Sequence, residues 1–268
     1  MTENLLKRFF SAIILLIILP TSLISQDLKQ FQTDIQKNTY EIFDQEIVKF
    51  NVATQEEFRY SNKLMGNISQ LDVTNPLRPL IFYKDVQKLV ITDNTLSKQN
   101  QQVISFEELD MYQIQCVASS KIDNGIWVYD QELLQIVKLD RTLNRVIETG
   151  NLQQLLNISE IAPSRMIEKG GYLYVYCPNN GFLIFDIYGT FYKQITIENI
   201  SVWNVVEKEI MYVKERETFV YHLKDFVSEK LNTTCPKSNE IMWIDDTFLY
   251  SNNKSSGILK TNLINLNK

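Results

Sequence analysis

Short apolar segments, rich in aromatic and β-branched residues, alternate with polar turns along this chain. The clearest example is residues 164–195, where the runs YLYVY (172–176) and FLIF (182–185) flank the turn PNNG (178–181). Another is the pair Asn124-Gly125, which precedes the run IWVY (126–129). Polar turns between apolar runs of four or five residues are typical of β-hairpins. The pattern therefore predicts an antiparallel, all-β protein.

The hairpin recurs six times, at intervals that indicate a repeat architecture. Successive second strands of the hairpin are separated by 42, 37, 47, 37 and 37 residues, because they begin at Ile47, Leu89, Ile126, Leu173, Ile210 and Thr247. A period near 40 with several strands in each unit is typical of propeller blades, since one small sheet cannot bury both of its faces alone. We therefore predict a six-bladed β-propeller of antiparallel three- to four-stranded blades.

Two irregularities refine this prediction. The longest interval contains residues 151–157 (NLQQLLN), whose apolar positions predict a short helix inserted between two blades. The sixth unit is too short for four strands. We expect residues 28–36, with Phe31 and Ile35, to supply its outer strand, because such closure removes an exposed sheet edge.

The first 25 residues have the pattern of a signal peptide. Lys7 and Arg8 precede an apolar run of 11 residues (9–19), Pro20 ends the run, and the small Ser25 precedes a plausible cleavage point. A permanent membrane anchor is the alternative, but a spanning helix needs about 20 apolar residues. We predict a signal peptide at 1–25, a single propeller domain at 26–268, no stable membrane insertion after cleavage, and a periplasmic or secreted protein.

Composition adds two restrictions. The formal net charge is −5 and the pI is about 5.1, so the surface repels phosphate backbones and a nucleic-acid partner is not expected. Cys116, Cys177 and Cys235 fall in three different units without metal-ligand spacing, and their odd number favours free thiols.

No catalytic constellation is evident in the sequence. The single histidine, His222, ends an apolar strand without a nucleophile or an orienting acid beside it in sequence, so we interpret it as structural. We predict no catalytic residue, no metal site and no cofactor. Calcium bound by oxygens in the channel is a separate question that the sequence leaves open.

Polar residues among the innermost strands are the candidates for contact with a ligand. We expect the strands lining the channel to present Glu41 and four further side chains, which could form hydrogen bonds with a small polar molecule. These four are Gln115, Arg165, Asn204 and Glu240.

A turn pattern connects the chain to known propellers. Residues 185–191 (FDIYGTF) have the order apolar strand, Asp-x-x-Gly, apolar strand, and residues 139–144 (LDRTLN) are similar, with an Asn four positions after the Asp and no Gly. In this respect the chain resembles six-bladed propellers of the NHL and TolB-like group. More narrowly, residues 75–85 and 185–191 are similar to exported six-bladed propeller proteins of Bacteroidota. The resemblance implies a fold and a compartment, and it carries no functional residues with it.

Two functions from different classes follow from these observations. The first is a non-enzymatic propeller that binds or scaffolds an envelope or secreted protein partner in the bacterial cell envelope, using loop aromatics such as Tyr188 and Tyr192. The alternative is a hydrolase or sugar-binding propeller, lactonase-like or glycosidase-like, that acts at the mouth of the channel. The alternative requires a cluster of carboxylates or a divalent ion there.

Overall fold

The computed structural model describes residues 27–233 and 240–263 of the 268-residue chain. The predicted signal peptide and Cys235 lie outside the described residues. Within the described ranges, 23 strands form six antiparallel sheets, five of four strands and one of three. The prediction of an all-β, six-bladed propeller with blades of three to four strands is confirmed.

Each blade is a meander in which strands that are consecutive in sequence pair with one another. The strands of blades 1 to 3 are β1 (Gln30–Thr33), β2 (Thr39–Ile42), β3 (Glu46–Phe50) and β4 (Glu57–Ser61); β5 (Gln70–Asp72), β6 (Leu80–Tyr83), β7 (Lys88–Thr92) and β8 (Lys98–Ser105); and β9 (Ile114–Ser119), β10 (Ile126–Asp130), β11 (Gln135–Leu139) and β12 (Arg145–Glu148).

Blades 4 to 6 follow the same order, the last with three strands among the described residues. Their strands are β13 (Arg165–Lys169), β14 (Tyr172–Cys177), β15 (Gly181–Asp186) and β16 (Phe191–Ile195); β17 (Val202–Val206), β18 (Glu209–Lys214), β19 (Glu217–His222) and β20 (Val227–Lys230); and β21 (Glu240–Ile244), β22 (Phe248–Asn253) and β23 (Gly257–Asn262).

The first strand of each sheet is its innermost strand, and the six innermost strands form a ring around the channel. β1, β21, β17, β13, β9 and β5 contact one another in that order, and side chains of β1 reach the backbone at β5 to complete the ring. We call the face on which the innermost strands begin the proximal face, and the face on which they end the distal face.

Burial follows from the face-to-face packing of blades. Strands β6, β10 and β11 are buried at every position, whereas the outer strands β12 and β20 are mostly exposed. The central strands have a neighbouring blade on both sides, so they read as continuous apolar runs without polar alternation. Each of the six junctions between blades holds an apolar cluster. Among the described residues, the junction of blades 6 and 1 has the smallest, in which the buried residues are Phe31, Trp243 and Tyr250.

The repeated aspartate turn has a structural explanation. Asp93 and Asp140 directly follow the third strand of a blade, and Asp186 is the last residue of one. In each case one carboxylate oxygen accepts the backbone N–H groups two and four residues later, at 2.8 to 3.0 Å. Such side-chain acceptors hold the turn closed and position the fourth strand. The Asp-x-x-Gly pattern therefore encodes turns.

Short helices occupy some of the connections. The insertion predicted at residues 151–157 is confirmed as helix α1 (Leu152–Leu156) between blades 3 and 4, with Asn151 as its N-cap. Single turns of 3-10 helix cover Lys63–Met65, Lys84–Val86 and Glu107–Leu109. No helix in the described part of the chain has the length and apolar character needed to cross a membrane.

The predicted closure of the ring is wrong. Residues 28–36 do not extend the sixth sheet, because β1 pairs with β2 and is the innermost strand of blade 1. The Asp34 carboxylate accepts the N–H groups of Gln36 and Asn38 and forms a tight turn between the two strands. Pairing across this turn closes a loop of a few residues, whereas pairing with blade 6 would close one of more than two hundred, at a larger entropic cost.

In the first two blades, the strands predicted to be second in the blade are in fact third. Ile47 and Leu89 lie in third strands, β3 and β7, whereas the other four positions lie in or next to second strands. The short strand β5 was missed, and the expected inner strand at Tyr40 is the second strand, β2. Glu41, expected to line the channel, therefore lies one strand farther from the axis.

Candidate ligand-binding channel

The channel contains two cavities, one at each face. A cavity of about 680 Å³ opens on the proximal face, and one of about 140 Å³ opens on the distal face. We call them the wide vestibule and the narrow vestibule. Gln32, Gln70, Arg165 and Trp243 line both. These four side chains form the partition between the vestibules.

Arg165 is the cation of the partition. Its guanidinium carbon lies 4.5 Å from the ring centroid of Trp243 and 5.0 Å from that of Trp203, and one N–H donates to the Trp203 carbonyl at 2.8 Å. Burial lowers the pKa of Arg165 to about 10, and the negative charge of Asp72 opposes this effect. The side chain therefore stays cationic at neutral pH, and no carboxylate of the described residues forms an ion pair with it.

Side chains of the innermost strands fasten neighbouring blades together. Gln32, Gln70, Arg165 and Asn204 each donate to a backbone carbonyl of the next blade's innermost strand, at 2.9, 2.8, 2.8 and 3.1 Å. These bonds join blade 1 to 2, 2 to 3, 4 to 5 and 5 to 6. Gln70 also accepts the N–H of Val117 at 3.1 Å, so both the nitrogen and the oxygen of its amide are hydrogen-bonded to β9.

Carboxylates supply the link at the two remaining junctions. Glu168 of blade 4 accepts the indole N–H of Trp127 at 2.6 Å and the backbone N–H of Lys121 at 3.0 Å, both from blade 3. Asp245 of blade 6 accepts the hydroxyl of Thr33 of blade 1 at 3.2 Å. Every junction of the propeller thus has at least one side-chain hydrogen bond near the axis.

The carboxylates of the narrow vestibule accept hydrogen bonds from several groups of the fold. Asp245 also accepts the Tyr250 hydroxyl at 3.0 Å and two backbone N–H groups, and the Lys37 ammonium lies 3.4 Å from it. Asp34 accepts the hydroxyl of Tyr40 at 2.9 Å in addition to its turn. Lys37 also pairs with Asp246. The polar groups of this vestibule therefore serve mainly to hold the distal turns in place.

The wide vestibule has a different character. Lys84, Gln115 and Glu240 line it, and their side chains form no hydrogen bond or ion pair with any described residue. Lys29 pairs only with the exposed Asp44, at 3.7 Å. The rest of the wall is largely apolar or aromatic, with Phe31, Pro163, Tyr176, Pro178, Ile200, Val202, Trp203, Ile241, Met242 and Trp243.

Three of the four predicted channel residues come together. Gln115, Arg165 and Glu240 line the wide vestibule, whereas Asn204 lines the narrow one and is held by its bond to blade 6. Their contact with a ligand stays a prediction. Sequence reasoning missed Gln70, because β5 is only three residues long, and Lys84, because it lies in a 3-10 turn after an apolar strand. A polar residue beside each apolar inner strand is the signal that could have found Gln70.

The remaining reactive side chains lie away from both vestibules. His222 ends β19, with one ring nitrogen 3.0 Å from Glu209 and the other 3.4 Å from Glu229, so two acids flank it that its sequence neighbours did not reveal. Cys116 and Cys177 are buried free thiols, and burial raises the pKa of Cys177 to about 12. The free-thiol prediction is confirmed for these two. Within residues 27–233 and 240–263, no three acids, thiols or imidazoles are grouped to hold a metal ion.

Exposed aliphatic side chains lie on part of the distal face. Ile35, Leu77 and Ile122 are 67%, 65% and 63% exposed, and each lies in the turn that follows the innermost strand of blade 1, 2 or 3. These three residues, which we call the distal triad, therefore lie on consecutive blades of one face. Tyr188 and Phe226 add exposed aromatic rings on the same face, in turns between third and fourth strands.

Comparisons with known proteins show the fold. No protein-family model matches the chain, and no curated protein matches its sequence. Among solved structures, the Pan2 WD40 domain of Neurospora crassa is similar with a TM-score of 0.59 at 13% identity, covering 90% of this chain and 76% of that one. A streptogramin B lyase is similar with a TM-score of 0.60 at 8% identity, covering 91% and 85%.

A third similar structure comes from B. thetaiotaomicron. The extracellular domain of BT4673, a putative one-component system of B. thetaiotaomicron, has a TM-score of 0.56 at 12% identity and is matched over 88% of this chain but 32% of that one. At these identities the similarity establishes a β-propeller. The neighbours include a lyase and a WD40 domain, so the fold accommodates enzymes and binding modules alike. Membership of the NHL and TolB-like group or of a Bacteroidota family stays a prediction.

Proposed function

We propose that this chain is a protein-binding β-propeller that contacts its partner through the distal face. The observation that carries the proposal is the distal triad, Ile35, Leu77 and Ile122, each about two-thirds exposed on consecutive blades. Apolar side chains grouped on one face of a soluble protein indicate a surface that a partner covers. The surrounding charged groups, among them Lys37, Lys121 and Asp246, match the polar rim of a protein interface.

We further propose that the partner is an envelope or secreted protein, and that this propeller acts without catalysis. The support for export is the N-terminal pattern of Lys7, Arg8, an 11-residue apolar run and Ser25. The competing hypothesis, a hydrolase or sugar-binding propeller at the channel mouth, requires convergent carboxylates or a divalent ion. The acids of the narrow vestibule instead accept hydrogen bonds from turn N–H groups and tyrosine hydroxyls, and one of them pairs with Lys37.

The test is a pull-down from envelope extracts of the native host with a matched pair of variants. The first replaces the distal triad by serine (Ile35→Ser, Leu77→Ser and Ile122→Ser). The control replaces three exposed apolar residues of the proximal side, Leu64, Tyr112 and Leu155, by serine. Both sets are exposed, so each substitution should change the stability of the propeller by less than about 0.5 kcal/mol.

We expect the wild type and the control to recover the same protein in fixed stoichiometry, and the triad variant to lose it. Loss in the control instead would overturn the assignment to the distal face. A monomer that recovers no partner and hydrolyses lactones or glycosides would favour the enzyme. The N-terminal sequence of the protein isolated from the host tests export at the same time, because a chain that still starts at Met1 would contradict cleavage near Ser25.

A further inference from the structure

The wide vestibule has the composition of a binding site for a charged small molecule. Three cationic side chains, Lys29, Lys84 and Arg165, line it against one carboxylate, Glu240, although the chain as a whole has a net charge of −5. Lys29 is partly neutralised by Asp44 at 3.7 Å. Lys84 and Arg165 have no carboxylate partner within the described ranges. The local excess of positive charge therefore favours an anion.

The hydrogen-bonding groups of this cavity divide into two sets. Gln30, Gln32 and Gln70 donate to backbone carbonyls of the next blade and are occupied. Lys84 is exposed and Gln115 is half-buried, and their side chains form no hydrogen bond or ion pair in the described part of the chain. Their polar groups are therefore available to a molecule that enters the channel.

Arg165 lies at the inner end of the same cavity. Among the described residues, its hydrogen bond to the Trp203 carbonyl uses one of the five N–H donors of a guanidinium. The ring centroids of Trp203 and Trp243 lie 5.0 and 4.5 Å from the guanidinium carbon, so two aromatic rings and this bond hold the group in place before any ligand arrives. A fixed, cationic fork suits an acidic group with two oxygens.

The volume and the wall indicate the rest of the ligand. A cavity of about 680 Å³ is far larger than an inorganic anion and lies in the range of pockets for small organic molecules. Its wall carries apolar side chains such as Pro163, Ile200 and Met242 between the polar groups. An apolar or aromatic body would cover these side chains while its acidic group faces the cations.

We propose that the wide vestibule binds a small organic anion, an acidic group carried on an apolar body, with Arg165, Lys84 and Gln115 as its ligands in the protein. This site is on the opposite face from the distal triad and does not depend on the proposed protein interface. Glu240, the one acid on the wall, faces the same cavity and selects for ligands that also present a donor.

The test uses anilinonaphthalene sulfonate as a fluorescent organic anion, titrated into the full protein. Benzoate and its neutral isostere benzamide serve as competitors, because they differ in charge and hardly in shape. The test variant is Lys84→Glu with Gln115→Glu, which reverses the charge of the site without removing a hydrogen bond of the fold. The control is Lys121→Glu, which makes one of these charge reversals in the narrow vestibule.

We expect the dissociation constant of the probe to rise about tenfold or more in the double variant and to stay within about twofold in the control. Benzoate should displace the probe and benzamide should not. Equal binding by the double variant, or equal displacement by the two competitors, would overturn the proposal. If serine substitution of the distal triad abolishes the signal, the probe reports the distal face and this inference fails while the proposed interface stands.

Arg165→Lys provides a second variant that keeps the charge and removes the fork. If Arg165 binds the ligand, we expect weaker benzoate competition, in addition to any fall in the urea midpoint caused by loss of the bond to the Trp203 carbonyl. A fall in the urea midpoint with unchanged competition would assign Arg165 to the structure alone and would remove it from the proposed site.

Discussion

The two vestibules are lined by the same innermost strands, yet their polar side chains differ in whether they form hydrogen bonds within the fold. In the narrow vestibule, Asp34 and Asp245 accept turn N–H groups and tyrosine hydroxyls. In the wide vestibule, Lys84, Gln115 and Glu240 form no side-chain hydrogen bond or ion pair with the described residues. Polar side chains at the distal face thus stabilise the fold, whereas these three at the proximal face are open to the cavity.

The difference follows from the position of the turns. Four of the six innermost strands end on the distal face in hairpins of two to five residues, whose N–H groups require acceptors close to the axis. On the proximal face the innermost strands begin after connections between blades, such as residues 157–164. Their polar side chains are not needed to close a hairpin. We conclude that the polar side chains of the wide vestibule that have no hydrogen bond in the described structure are the better guide to a ligand.

The junction of blades 6 and 1 shows how far the polar network can replace apolar packing. Its buried apolar cluster consists of Phe31, Trp243 and Tyr250, smaller than at the other junctions. The Trp243 indole donates to the Thr33 hydroxyl at 3.0 Å, and that hydroxyl donates to Asp245 at 3.2 Å. The ring of blades is therefore held closed here by a chain of buried hydrogen bonds beside the aromatic rings.

Removal of Asp245 should have the largest effect. Asp245→Ala leaves the Thr33 and Tyr250 hydroxyls and two turn N–H groups without their acceptor, so we expect a loss of about 3 kcal/mol or more in the free energy of unfolding. Asp246→Ala, at the half-exposed neighbour, should cost less than about 1 kcal/mol. Urea denaturation measures both. Equal losses would mean that the narrow vestibule does not hold the ring closed.

Replacing one amide side chain in each vestibule should give two variants that differ by an intermediate amount in their free energy of unfolding. Asn204→Ala removes the 3.1 Å bond to the Ile244 carbonyl and should cost about 1–2 kcal/mol. Gln115→Ala removes a side chain without a partner in the described structure and should change the free energy of unfolding by less than about 0.5 kcal/mol. The urea midpoints of the two variants measure this difference. A larger loss at Gln115 would reverse our assignment of which vestibule carries the structure.

The smallest expected effect is a dependence of stability on acid. Partial burial by itself would raise the pKa of Asp246, but hydrogen bonds from Lys37 and Thr247 outweigh it, and the net pKa lies below the ordinary aspartate value of 3.8. A lowered pKa means that the carboxylate stabilises the fold above pH 3.8, and that this contribution is lost as the pH falls through the lowered value.

The contribution should stay below about 1 kcal/mol, because Asp246 is half-exposed and solvent screens the pair. Asp246→Asn should flatten this part of the profile of urea midpoint against pH, and Lys37→Met should flatten it less, because the Thr247 hydroxyl still donates to Asp246. The double variant should show no further change in slope beyond that of Asp246→Asn. Equal effects of the two single variants would show that Lys37 alone is responsible for the lowered pKa of Asp246.

Sequence patterns predicted the local parts of this fold well. The apolar run at residues 172–176, the turn at Asp186 and the helix at residues 152–156 are each determined by neighbours a few positions away. Their repetition was enough to count six blades. The innermost strand β5 was not predicted, because a strand of three residues between polar neighbours shows too little of the apolar pattern to be recognised.

The candidate site was predictable only in part. Gln115, Arg165 and Glu240 were recognised because each interrupts or borders an apolar inner strand, and all three line the wide vestibule. Asn204 has the same sequence context, but its amide is bound to the next blade. Sequence alone could not separate these cases, because the partner that distinguishes them lies 40 residues away in the chain.

The sequence by itself determined the all-β class, the number of blades and the positions of most turns, because strand formation and turn closure depend on adjacent residues. The tertiary structure alone decided that β1 pairs with β2 and that Thr33 and Asp245 close the ring. It alone decided that Arg165 is held between Trp203 and Trp243 at the centre of the channel. These contacts join residues of different blades, and only the packing of all six sheets brings them within bonding distance.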